Sequence, residues 1–258
     1  MRGIKLRHWG MALAVAALQL AGAGASAQDL AAGSVVRKVL TREICGHDVA
    51  AGHARCHSHV VLDRNGDDLV TAAPSGLSPA SLRSAYKVTG TGNAATVIAV
   101  VDAYHYANAE ADLAVYRSQF GLPACTKANG CFKQVDQNGG TSYPSGNKGW
   151  NQEAALDLDM VSAMCPSCSI VLVEASSNSS ANLAKAANTA ALLAGVRAVS
   201  NSYGGGESGS SSYESFYDHL NVAMVASTGD SGYGVQFPAS SPHVTAVGGT
   251  SLKTASNS

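Results

Sequence analysis

From about residue 96 onward, the apolar positions fall into short unbroken runs separated by longer stretches of helical periodicity. Thr96-Val-Ile-Ala-Val-Val-Asp102 is continuous and β-branched, the pattern of a strand buried on both faces. Strands are likewise predicted over 170–174, 197–201 and 222–226. Between them the spacing predicts a helix over 108–119, opened by Asn108 and stopped by Gly121. Further helices are predicted over 150–164 and 180–193, the latter Ala-rich, with a short one over 212–219. This alternation predicts an α/β fold, a mainly parallel sheet with helices on both faces. Ligands of such sheets gather at the carboxyl ends of the strands. Asp102, Asn201 and Asp230 fall at or just past those ends, and Glu153 and Asp157 near the start of a helix facing the same edge.

The first 95 residues lack this order. Residues 1–27 carry a basic start (Arg2, Lys5, Arg7, His8), an apolar run from Met11 to Ala23, and Ala25-Ser-Ala27 as a cleavage pattern. They are expected to form a secretory signal, which makes the chain secreted or periplasmic. The run is too short to span a bilayer. Residues 28–75 are polar and weakly periodic, a short pro-like or linker region. Within it Asp63-Arg-Asn65-Gly-Asp67 imitates a calcium loop but has Pro74 where the twelfth ligand should stand, so a solvated turn is expected.

Composition narrows the function. A formal charge of −1 and 14% charged residues predict no general attraction to nucleic acid or an anionic membrane. Six cysteines fall into the close pairs Cys45/Cys56, Cys125/Cys131 and Cys165/Cys168, which in an exported chain predicts local disulfides. Cys165-Pro-Ser-Cys168 imitates a redox motif. A redox pair opens a helix, whose N-terminus stabilises the thiolate; this one follows a predicted helix and precedes a strand, so it is expected to be structural.

The chemistry concentrates in Trp150-Asn-Gln-Glu153-Ala-Ala-Leu-Asp157 and Ser227-Thr-Gly-Asp230-Ser231-Gly. An i,i+4 spacing sets Glu153 and Asp157 side by side on one helix face. Two carboxyls sharing a site titrate as a pair, one ionised and one protonated. Gly229-Asp-Ser231-Gly copies part of the chymotrypsin nucleophile motif, but this helix-rich alternation cannot build two antiparallel barrels, and roles outrank a tetrapeptide. A subtilisin triad with Asp102 as its acid fails for want of a His-Gly-Thr-His segment. None of the eight histidines supplies the imidazole base in that context.

With Glu153 in place of that histidine, the chain resembles the sedolisins, the subtilisin-fold serine-carboxyl peptidases. The matching pieces are Glu153 and Asp157 in E-x-x-x-D and Asp230 in S-T-G-D-S-G-Y. Val199-Ser-Asn-Ser-Tyr-Gly-Gly205, Phe237-Pro-Ala-Ser-Ser-Pro242 and Val247-Gly-Gly-Thr-Ser-Leu252 support them. The resemblance implies that Glu153 is the general base, that Asp157 orients it, and that a protonated Asp230 donates to the oxyanion. Carboxylates stay usable at pH values where histidine is charged, so an acidic optimum is expected. The resemblance places the nucleophile in a later Gly-Thr-Ser-x-x-x-Pro segment, followed by a calcium loop. After Gly248-Gly-Thr-Ser251 the sequence runs on without the proline, so Ser251 is not assigned and the nucleophile is unknown. Residues 76–258 are therefore expected to be a partial sedolisin-type domain, subtilisin-like and incomplete at the C-terminus. Calcium is expected of the full-length family domain, and no metal is supported by this chain. The implied function is secreted endopeptidase, acting on protein or peptide substrates as a monomer; the alternative is an inactive exported peptide-binding protein.

Overall fold

The computed structural model describes residues 39–46, 49–71, 76–250 and 252. The predicted signal and Ser251 lie outside the described residues.

Three short strands come first: β1 (Thr41–Glu43), β2 (Arg55–Cys56) and β3 (His59–Val61), with β1 and β3 paired antiparallel. Helix α1 (Pro79–Ala85) follows, capped by the Ser78 side chain, which accepts from the Ser81 N–H. The α/β alternation then runs through β4 (Val97–Ala103), α2 (Ala109–Gln119), β5 (Phe132–Asp136), α3 (Lys148–Met164), β6 (Ser169–Ala175), α4 (Ser180–Leu192) and β7 (Val196–Asn201). It closes with β8 (Tyr203–Gly204), a 3₁₀ turn (Ser210–Phe216), β9 (Ala223–Ser227) and β10 (Thr245–Val247).

The main sheet has six parallel strands in the order β10-β9-β7-β4-β6-β5. β4 lies between β6 and β7, so the winding reverses there, and a crevice for ligands is expected at its carboxyl end. Successive residues of β4 point to opposite faces. Ala99, Val101 and Ala103 pack with Val171, Val173 and Ala175 of β6 and the alanines of α4. Val100 packs with Ile170 and Leu172 against Leu113 of α2 and Ala154 and Leu158 of α3.

The predicted α/β architecture holds, with local differences. The sequence pattern does not predict β5, whose edge position leaves Lys133 exposed and breaks the apolar run. The predicted helix over 212–219 is a 3₁₀ turn two residues earlier. Asn108 precedes α2 but makes no side-chain cap bond. Helix α3 begins before Trp150 because the Asn147 side chain accepts from the Gly149 and Trp150 N–H groups. The three predicted disulfides are formed: Cys45–Cys56, Cys125–Cys131 and Cys165–Cys168. The last joins the end of α3 to the start of β6, so it serves as a staple.

Candidate active site

Helix α3 delivers the two carboxyls. The face carrying Trp150, Glu153, Ala154, Asp157 and Leu158 is buried against the sheet, which takes both acids out of water. Glu153 is 1% exposed and Asp157 8%. Burial, followed by the charge of Asp157, pushes the Glu153 carboxyl up to about 8, while hydrogen bonds from the Ser58 hydroxyl and the His57 and Ser58 amides pull the other way. Burial pushes Asp157 up to about 7, opposed by the Ser202 hydroxyl, which donates to Asp157 Oδ1 at 2.9 Å. Asp102, from the same face at the end of β4, is held far above its ordinary range, first by burial and then by Asp157, Glu153 and Glu174. Neither Asp102 oxygen has a hydrogen-bond partner, nor do Glu153 Oε2 and Asp157 Oδ2. A buried carboxyl without donors is more stable as the neutral acid. The site is therefore a cluster of three buried acids that hold their protons well above the ordinary carboxyl range, with Asp102 joined to the predicted pair.

Asp230, just past β9, is held from the other end of the chain. Arg55 Nη2 lies 4.0 Å and His59 Nε2 3.5 Å from its Oδ2. The Arg55 side chain is 3% exposed and also bonds Glu43 at 2.5 Å. Arg55 and His59 belong to a segment that crosses the carboxyl edge of the sheet. Ser180 N–H donates to Gly52 O, and Ala54 N–H to Asn178 O. β2 pairs antiparallel with β8, Arg55 opposite Gly204 and Cys56 opposite Tyr203. His57 N–H donates to Ser202 O at 3.0 Å.

His57 is the residue that sequence reasoning missed. The motifs leave the site without an imidazole; the structure places one there, carried by the strand segment after β2 rather than by a helix. Its Nδ1 meets Ser227 Oγ at 2.6 Å and its Nε2 meets Gln236 Oε1 at 2.7 Å. Burial is the main influence on the ring and lowers its pKa. His57, Glu153, Asp157 and Ser227 line a cavity of about 550 Å³ together with Leu156, Met160 and Met164 of α3. No sequence signal marks His57, Ser227 or Gln236 as partners, since 170 and 179 residues separate them. Gly204 lies against His57 and Gln236, since a Cβ there would lie 2.7 Å from Gln236 Oε1 and 2.9 Å from His57 Cε1.

A metal has less support. Among the described residues, Glu43, His59 and Asp230 bring possible ligand atoms within 4.8 Å of one another. Arg55 already supplies the positive charge between Glu43 and Asp230, and a set containing imidazole does not suit calcium. The Asp63 carboxylate of the calcium-like turn accepts instead from the Asn65 and Asp67 amides.

No protein-family profile matches the chain. Among curated proteins it is similar to kumamolisin of Bacillus sp. (strain MN-32), 30% identical over 206 residues that make up 70% of this chain and 36% of kumamolisin. Among solved structures it matches Pseudomonas sedolisin, a serine-carboxyl proteinase determined with two molecules of pseudo-iodotyrostatin. That match has a TM-score of 0.59 at 22% identity, over 72% of this chain and 56% of that one. The chain thus spans just over a third of the curated relative and somewhat over half of the structural one. The chain is thus similar in sequence to kumamolisin, and its parallel sheet with flanking helices shares the α/β fold of Pseudomonas sedolisin.

Proposed function

We propose that the chain carries the acid half of a serine-carboxyl peptidase site, held here in a covered state, and that it acts on unfolded protein or peptide after export. The observation that carries this reading is the buried Glu153–Asp157 pair at the carboxyl edge of the sheet, with Asp102 beneath it. Glu153 is the general base, Asp157 shares its charge and orients it, and Asp230 is the acid that donates to the developing oxyanion.

The raised carboxyl pKa values bear on when such a site can work. At about 8, Glu153 holds its proton throughout the acidic range and is no base. Burial is the main cause, and residues 52–59 contribute to the cover through the β2–β8 pairing and the Arg55 and His59 contacts to Asp230. Displacing this segment admits water, lowers the Glu153 pKa and frees Asp230 from Arg55 and His59. An ionised general base working with a carboxylic-acid donor to the oxyanion then requires acidic medium. Residues 28–75 act in this reading as a short pro-like region.

The nucleophile implied by the resemblance stands in a Gly-Thr-Ser-x-x-x-Pro segment that the sequence does not contain. The test uses protein expressed from the whole gene, with an unfolded protein substrate between pH 3 and 8. Cleavage is expected near pH 4, with a loss of about 100-fold or more in Glu153→Gln. Cleavage confined to neutral pH, or indifferent to Glu153→Gln, would sink the mechanism. No cleavage at any pH, together with saturable binding of the same substrate, would leave the peptide-binding reading in its place.

A further inference from the structure

Beside the carboxyl pair lies a second set of groups that the acid mechanism does not use. We propose that Ser227 is a nucleophile activated by His57, and that this pair takes a carboxylic ester whose acyl group lies in the cavity beside α3. The inference goes beyond the peptidase reading and needs neither Glu153 nor Asp157.

The geometry is that of an activated hydroxyl: nucleophile, base and a third group that orients the base, all within hydrogen-bonding reach. Gln236 Oε1 can only accept, so His57 Nε2 carries the ring proton and Nδ1 presents its lone pair to Ser227 Oγ. The orienting group is itself fixed: Gln236 N–H donates to Thr228 O, and Phe237 and Gly205 exchange backbone hydrogen bonds next to it. Room for the arrangement comes from Gly204, whose missing Cβ clears both Gln236 Oε1 and His57 Cε1. Ser227 ends β9, at the carboxyl edge where parallel sheets place their reactive groups. His57 is kept neutral by burial, against the opposing pull of Gln236 and Asp230 and with the help of Arg55; Glu43 pulls weakly with Asp230.

Ser227 Oγ attacks the ester carbonyl carbon while its proton passes to His57 Nδ1. The C–O bond to the alcohol breaks, and the departing alkoxide takes that proton from the imidazolium. Water, deprotonated by His57, then attacks the acyl ester, releases a carboxylic acid and restores the Ser227 hydroxyl. Ser200 lines the same cavity and carries a hydroxyl of the kind that can donate to a carbonyl oxygen as it gains charge. Beyond these polar groups the lining is Ile98, Leu156, Met160, Val161, Met164 and Val225, an apolar wall suited to an acyl chain, and about 550 Å³ is a typical ligand volume.

The test is reaction of the whole chain with a fluorophosphonate probe near neutral pH, followed by peptide mapping. The adduct is expected on Ser227, absent in Ser227→Ala and formed about 100-fold more slowly in His57→Gln. No adduct, an adduct on another serine, or a His57→Gln rate within about threefold of wild type overturns the proposal. Should the His57 variant lose its circular-dichroism signature, the wild-type pH profile decides. Labelling must fall through one ionisation below the ordinary histidine range as the medium is acidified, and a flat profile between pH 4 and 8 refutes the pair. For the acyl chain, Met164→Trp should raise KM for p-nitrophenyl octanoate more than for the acetate; equal effects exclude the cavity as its seat.

Discussion

The two faces of the central sheet are built from alternate residues of the same strands, yet they do opposite things. On the α4 face, Ala99, Val101 and Ala103 of β4 meet Ala184, Ala187 and Ala190 of α4, all 2% exposed or less. Nothing polar interrupts that contact, and the small side chains let helix and sheet approach closely. On the α3 face, Val100 and Leu172 build an equally dry layer with Leu158, but the next residue of β4 on that side is Asp102, among Glu153, Asp157 and Glu174. One face supplies folding energy along its whole length. The other gives its carboxyl end to groups that oppose folding whenever they ionise, as functional sites commonly do.

A charge placed on the quiet face should show the contrast most strongly. Ala187→Asp buries an unpaired carboxylate where exposure is 0%, and is expected to cost more than about 4 kcal/mol. Chemical denaturation would read this as a chain largely unfolded at neutral pH. A variant of near wild-type midpoint would mean that the α4 contact is far looser than described.

The acidic face should instead reveal itself through pH. Groups whose pKa is raised in the folded state contribute stability that is complete below their unfolded pKa and lost as pH rises through the folded one. With Glu153 at about 8 and Asp157 at about 7, stability should decline between about pH 4 and pH 8 by a few kcal/mol, since a tenfold change in proton affinity is worth about 1.4 kcal/mol. Asp102→Asn removes one ionisable member without changing its size. It should flatten that slope and stabilise the fold at pH 8 by about 1 to 3 kcal/mol. Stability that increases from pH 5 to 8, or a destabilising Asp102→Asn at pH 8, would mean that these acids are paired or hydrated.

How much of this is legible in the sequence follows the same division. The apolar runs of β4, β6, β7 and β9 and the Ala-rich α4 announce the quiet face, because burial on both sides writes itself as continuous hydrophobicity. Glu153 and Asp157 are legible as neighbours through their spacing, and Asp102 and Asp230 through their place at strand ends. β5 escapes because an edge strand tolerates Lys133 and Gln134. The segment covering the site escapes because its contacts are long-range and polar: Arg55 meets Asp230, and His57 meets Ser227 and Gln236, across most of the chain. No periodicity records such contacts, and only the spacing of Cys45 and Cys56 hints that this region is ordered.

Helix α3 carries the comparison down to two leucines two positions apart. Leu158 is 1% exposed in the dry layer with Val100 and Ile170, whereas Leu156 is 42% exposed on the rim of the cavity. Side chains two apart on a helix look in different directions, so helix propensity treats them alike and packing does not. Leu158→Ala should cost about 2 to 5 kcal/mol, a transfer loss plus an unfilled cavity. Leu156→Ala should cost under about 1 kcal/mol, since water already reaches the site and no void is left. Equal costs in parallel denaturation curves would mean that something in solution covers the rim of the cavity, and the α3 face would then be as closed as its opposite.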